Sequence, residues 1–324
     1  MKNLFSKTSI FLLFATSLAV ITSCQSQTSL GPTLPIELTS TQASSVETPF
    51  PTLSPTPDHQ PETSNADDPY GPFPYDTVDN FGEVKSGKLS GIVFYPGRKT
   101  LVAVSDNGRI IEINTDGTLV QKKKIREKAD FEGITYSPAI EMLYVAIEGE
   151  ETILEVNPNS LEAERDIPID RMFEGDILLS PEGNGIEGIT FVPASDGDTN
   201  GSFYLVNQSN ELGGTDPSIV FEVEIDHAAR EPQARIIRHF SVGVTDLSGI
   251  HYLPTSRRLL IISDANNLLL EVSLTGEVLE THPLPGKKQE GVTIDDDGFL
   301  YIAQDTKDAL LKFASLENAD VPSQ

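Results

Sequence analysis

Short apolar runs recur along this chain between clusters of Gly, Asp, Asn and Pro, and their order repeats. Leu89-Ser-Gly-Ile-Val-Phe-Tyr-Pro96 returns as Phe131-Glu-Gly-Ile-Thr-Tyr-Ser-Pro138 and Ile186-Glu-Gly-Ile-Thr-Phe-Val-Pro193. It returns again as Leu247-Ser-Gly-Ile-His-Tyr-Leu-Pro254 and Gln289-Glu-Gly-Val-Thr-Ile-Asp-Asp296. The shared glycines (Gly91, Gly133, Gly188, Gly249, Gly291) lie 42, 55, 61 and 42 residues apart. A second apolar run follows each motif: Leu101 to Val104, Leu143 to Ala146, Phe203 to Val206, Leu259 to Ile262 and Leu300 to Ala303. A third ends each unit, from Ile110 to Ile113 in the first and Leu310 to Phe313 in the last. Runs this short, rich in Val, Ile, Phe and Tyr and bounded by turn residues such as Asp106-Asn107-Gly108, read as strands. No segment keeps an apolar period of 3.6, so helices are few.

Three or four short strands per unit, at a period of roughly 40–60 residues, is the pattern of β-propeller blades. The fold class is therefore all-β, with five blades expected and a sixth, degenerate blade as the alternative. The innermost strand of each blade lines the central axis. The repeated glycine opens that strand, where backbones crowd and a side chain would clash. The first four blades carry a fourth run, such as Thr118 to Ile125 or Val278 to Leu284, but only a polar tail follows Phe313. A stretch between Asp76 and Ser86 is thus expected to supply the missing strand and close the ring. Blade 3 departs from the minimal unit, with insertions expected around Leu161 to Gly185 and Asn210 to Pro217.

The propeller pattern covers residues 76–318, with a polar tail at 319–324. Residues 1–24 read as a signal peptide: Lys2 and Lys7 precede a short apolar stretch, Ile10 to Ile21, and then Ile21-Thr-Ser-Cys24. Those four residues resemble a lipobox, in which Cys24 takes a lipid and becomes the mature N-terminus. Residues 25–75 hold 10 of the 22 prolines among Thr and Ser, a composition that serves as a disordered spacer. The expected location is extracytoplasmic, lipid-anchored to a bacterial membrane. Gln25, in place of the Asp that retains many lipoproteins at the inner membrane, favours the outer membrane or cell surface. Cys24 is the chain's single cysteine, so disulfides give no support and an apolar core must. Beyond residue 75 stand 21 basic and 43 acidic residues, a net charge of −22. That balance argues against nucleic acid, whose binders are basic.

The alternating Leu-Ser-Gly-Ile and Phe-Glu-Gly-Ile openings, the Val104-Ser-Asp106 and Ile262-Ser-Asp264 strand ends and Gln289-Glu-Gly-Val resemble the SdiA-regulated (YjiK-like) family of exported bacterial proteins. The likeness runs over roughly residues 78–315, and the family is distantly akin to NHL-repeat propellers. The resemblance implies a five-bladed propeller with a bound calcium ion and no settled activity.

Candidate chemistry gathers beside the glycines. Glu132, Glu187 and Glu290 hold one register position in different blades, so they converge on the axis. Carboxylates facing one another there repel unless a cation or protons intervene. Hard oxygen donors suit Ca²⁺ better than zinc or copper. The alternative is that each Glu staples a neighbouring blade through hydrogen bonds. Asp246, Asp106 and Asp264 are weaker candidate ligands. Asp196-Gly-Asp198-Thr-Asn200-Gly matches the first half of a calcium-loop pattern, though Asn207 stands where that loop needs a Glu. His251, on an inner strand, is the one histidine placed to face the axis. Two functions follow: a calcium-binding, membrane-tethered module for an unknown protein or small-molecule ligand, or a calcium-dependent hydrolase of the phosphotriesterase, lactonase or esterase sort.

Overall fold

The computed structural model describes residues 73–82, 88–179, 185–194, 201–214, 216–306 and 310–315. Every regular element within them is a strand. After β1 (Thr77–Asn80), the first unit is the antiparallel sheet of β2 (Ile92–Tyr95), β3 (Thr100–Ser105), β4 (Arg109–Asn114) and β5 (Leu119–Lys124). The second is β6 (Asp130–Ser137), β7 (Met142–Glu148), β8 (Thr152–Asn157) and β9 (Glu162–Asp170). A small hairpin, β10 (Met172–Phe173) and β11 (Asp176–Ile177), leads to the third unit. That unit is β12 (Ile186–Val192), β13 (Ser202–Asn207), β14 (Val220–Ile225) and β15 (Ala234–Phe240), and a short parallel contact between β9 and β15 joins it to the second. The fourth is β16 (Leu247–Leu253), β17 (Arg258–Ser263), β18 (Leu268–Ser273) and β19 (Val278–Pro283).

Among the described residues, the last sheet takes three strands from the C-terminal repeat: β20 (Gln289–Ile294), β21 (Phe299–Gln304) and β22 (Leu310–Ser315). Its fourth is β1, antiparallel to β22 with Thr77 opposite Phe313 and Asn80 opposite Leu311. Phe73 packs edge-on against Phe313, ring centroids 5.0 Å apart. The N-terminal segment therefore closes the ring, as the missing run after Phe313 requires.

One expectation changes. The stretch from Leu161 is not all insertion, because Glu162–Asp170 is the outer strand of the second unit. Its outward side chains are charged, and only Ile167 and Ile169 are buried, so its apolar signal is thin.

Five apolar clusters fill the five junctions between successive sheets, including one that packs Leu101 and Ile111 of the first sheet on Tyr301 and Leu310 of the last. Each sheet is thus buried on both faces. In β7, Tyr144 and Ala146 face one junction while Leu143, Val145 and Ile147 face the other. Second strands consequently read as unbroken apolar runs instead of alternating ones.

At the axis the repeated glycines touch in a cycle. A Cβ built on Gly91 would lie 2.8 Å from the Gly133 Cα, one on Gly133 2.9 Å from the Gly188 Cα, and one on Gly188 3.0 Å from the Ile250 nitrogen. Gly249 meets Gly291, and Gly291 meets Gly91. Just past the glycines, threonines tie the sheets together: the Tyr252 amide donates to Thr190 Oγ1 (3.0 Å), Phe191 to Thr135 (3.1 Å) and Phe94 to Thr293 (3.0 Å). Third strands carry a second staple. Glu112, Glu155, Glu222 and Glu271 share one position, and each binds an arginine: Arg98, Arg165, Arg238 and Arg258. In the last sheet Lys312 stands there instead, 4.1 Å from the centre of the Phe299 ring.

Candidate functional site

The inner strands do not pair evenly. Register slips between Phe131 and Ile134, Ile186 and Gly188, Leu247 and Gly249, and Gln289 and Gly291. A bulge leaves its extra residue unpaired and re-aims that side chain. The residues so freed include Glu132, Glu187, Ser248 and Glu290, each just before its glycine. Ser248 spends its hydroxyl on the Gln289 carbonyl of the next sheet, 2.6 Å away. Among the described residues the glutamates make no such staple.

They instead share an acidic mouth at one end of the axis. Burial, then the charges of Asp130, Glu290 and Glu148, push the Glu132 carboxyl up to about 9. Burial, then Asp264, Asp246 and Asp305, lift Glu290 to about 8. Glu187, only 5% exposed, is pushed well above the usual carboxylate range, first by burial and then by Glu132, Glu148 and Glu290. The weaker candidates lie at this mouth too. Burial raises Asp246, and it raises Asp264 to about 6 with help from Asp246. Asp106 is raised by burial and by Asp130 and Asp305. Asp246 Oδ2 accepts the Ala265 amide (2.9 Å), and Asp264 Oδ1 accepts that of Gln289 (3.0 Å).

The carboxylates whose oxygens all fall within 4.8 Å of one another are Asp130, Glu132 and Glu148. Glu187 and Glu290 lie outside that tightest set. Asp130 and Glu148 meet because they are cross-strand partners in β6 and β7, and the bulge turns Glu132 to join them. Among the described residues, three buried carboxylate oxygens here have no hydrogen-bond donor: Asp130 Oδ1, Asp246 Oδ1 and Asp305 Oδ1. The nearby cations are lysines, Lys88 Nζ at 2.8 Å and Lys288 Nζ at 3.5 Å, and both sit on the other oxygen of Asp305. Asp196, Asp198, Asn200 and Cys24 lie outside the described residues.

Asp130, Glu148 and Asp305 were missed by the reading of the sequence, yet a signal for them exists. Asp106, Glu148, Gln208, Asp264 and Asp305 occupy one position, the last residue of the second strand in Glu148 and the residue directly after it in the other four repeats. Asp130 and Asp246 share another, three residues before the glycine. A second group, Glu271, Glu280 and His282, also brings ligand atoms within 4.8 Å, but Arg258 lies 2.8 Å from Glu271 and already serves it as a cation.

A model of the family described as SdiA-regulated matches residues 77–307. The chain belongs to the SdiA-regulated family. That match begins at the strand that closes the ring, covers the acidic mouth and ends just before β22. No curated protein matches the chain in sequence. Among solved structures, the glutaminyl cyclase of Myxococcus xanthus is similar with a TM-score of 0.52 at 12% identity, over 75% of this chain and 97% of that one. The β-propeller domain of Cps50 (Swd1) from Myceliophteria thermophila gives 0.44 at 9% identity, over 74% and 99% of the two chains. A gluconolactonase from Xanthomonas campestris gives 0.42 at 14%, over 75% and 78%. At 12% identity the likeness to the cyclase speaks of fold alone.

Proposed function

We propose that this family member is an extracytoplasmic, lipid-tethered propeller that holds a calcium ion in its acidic mouth and binds a ligand or protein partner there. The observation that carries this reading is the set of buried carboxylate oxygens without donors among the described residues, Asp130 Oδ1 and Asp246 Oδ1 among them, beside three glutamates raised by burial and then by neighbouring carboxylates. Unpartnered buried acceptors are costly, and clustered carboxylates need either protons or a cation between them. The donors are all hard oxygens, which fits Ca²⁺. Asp130, Glu132 and Glu148 would hold the ion, with Glu187 and Glu290 adding negative field from across the axis. When bound, the ion neutralises the mouth and offers a point of attachment to an oxygen of a ligand. Lys88 and Lys288 hold Asp305 in place and give the rim its positive side. The tether rests on Cys24 and the proline-rich segment of the sequence.

Calorimetric titration of the full chain with CaCl2 tests the reading, paired with melting in calcium and in chelator. At a calcium concentration of 100 Kd the native state gains about 2.7 kcal/mol. For a domain of this size that raises Tm by roughly 5–11 °C. Glu132→Gln should weaken calcium binding by about tenfold or more while the strand signature persists. Melting curves that coincide in calcium and chelator, with no heat of binding, would refute it. Turnover of an ester or lactone that Glu187→Gln abolishes would replace the binding module with the hydrolase.

A further inference from the structure

The glycine cycle divides the axis into two mouths of different chemistry. The glutamates precede the glycines. Beyond them opens a cavity of about 810 Å³, inside the usual range for small-molecule sites. Aromatic side chains at one repeat position, Phe94, Tyr136, Phe191 and Tyr252, line its wall. The prolines that end four motifs, Pro96, Pro138, Pro193 and Pro254, line it as well.

The polar groups beside the rings are uncharged, and charged side chains enter the lining as Arg258, Glu271, Asp295 and Asp296. Thr135 and Thr190 each accept a main-chain amide through Oγ1, and no acceptor for either hydroxyl proton occurs among the described residues. His251 takes the same repeat position in the fourth sheet and has no hydrogen-bond partner among the described residues. Burial lowers its imidazole to about 4, so it is neutral at physiological pH and keeps one N–H to donate. The charges at the rim serve each other or their own loops: Arg258 binds Glu271 at 2.8 Å, and Asp295 accepts the Tyr301 hydroxyl at 2.8 Å.

We propose that this cavity is a second ligand site, separate from the acidic mouth, for an uncharged aromatic molecule carrying a hydrogen-bond-accepting oxygen at one end. The rings and prolines take the flat apolar body. His251 and the two threonine hydroxyls meet the oxygen. The wall formed by the rings and prolines carries no charge of its own, and the charged side chains Arg258, Glu271 and Asp295 are already paired, so the site favours an uncharged body.

Prodan, a neutral naphthalene with a ketone, is the probe. The chain has no tryptophan, so a single indole can report position. Titrating prodan into the full chain should give a saturable blue shift of its emission. Energy transfer to prodan should be stronger from Thr255→Trp, at the cavity rim, than from Lys287→Trp, beside the acidic mouth. His251→Leu should weaken prodan about three- to tenfold, the worth of one hydrogen bond, and leave 2-dimethylaminonaphthalene, which lacks the ketone, within about twofold. Saturating calcium should leave prodan affinity unchanged. No saturable shift, stronger transfer from Lys287→Trp, or equal affinity in parent and His251→Leu would each overturn the proposal. If His251→Leu fails to fold, the two exposed tryptophan positions still decide it.

Discussion

Adding one methyl group at the axis should be far more damaging than its size suggests. In Gly133→Ala the new Cβ would lie 2.7 Å from the Glu187 carbonyl oxygen, 2.7 Å from the Ile189 nitrogen and 2.9 Å from the Gly188 Cα. All three are backbone atoms of the adjacent inner strand, so no rotamer change relieves the clash. Overpacking of this kind costs about 1–3 kcal/mol, and a rigid backbone neighbour places it in the upper part of that range. Loss of unfolded-state freedom returns only about 0.4–1 kcal/mol. The net is a loss of roughly 1–2.5 kcal/mol, or a Tm lower by about 2–10 °C for a domain this large. Gly249→Ala should do less harm, since its nearest atoms lie 2.9 and 3.2 Å away. Gly213→Ala is the control, with nothing within 4 Å. Scanning calorimetry of the three variants in saturating calcium isolates packing from the ion. A Gly133→Ala protein that melts with the Gly213→Ala control would refute the crowded axis.

Ion-free protein should lose stability as pH rises. Glu132 and Glu290 titrate in the folded state near 9 and 8, against 4.5 for an unperturbed Glu. Between pH 4.5 and about 9 the folded state therefore holds protons that the unfolded chain has released, and the stability slope with pH is negative. In chelator, stability should fall from pH 6 to pH 9 by on the order of a few kcal/mol, seen as a falling Tm, and calcium should flatten the curve; a rise would contradict the buried acids. Thr190→Val removes the acceptor of the buried Tyr252 amide at near-constant volume, which should cost about 1–3 kcal/mol and speed hydrogen exchange at that amide. Deleting residues 73–82 removes β1 and the Phe73 contact, leaving β22 as a bare edge. That protein should melt lower and self-associate, as light scattering would show.

The sequence by itself determined the strands, their grouping into repeats and the identity of the residues at the axis. Strand signals are local, and a motif such as Phe-Glu-Gly-Ile places the same atoms in the same register wherever it recurs. It also exposed the gap after Phe313, because a blade short of one strand leaves an unpaired edge. Where a strand buries only Ile167 and Ile169 and shows charge outward, that local signal failed, and β9 passed for an insertion. The acidic mouth was half legible. Glu132, Glu187 and Glu290 stand out as repeats, but their freedom from pairing comes from bulges that no alternation pattern reveals. That Glu148 joins Asp130 and Glu132 depends on cross-strand register between β6 and β7, and so belongs to tertiary structure. The threonine staples are likewise a property of the closed ring. Each joins side chain and amide 56 residues or more apart in sequence, and only the approach of neighbouring glycines brings them within 3.1 Å.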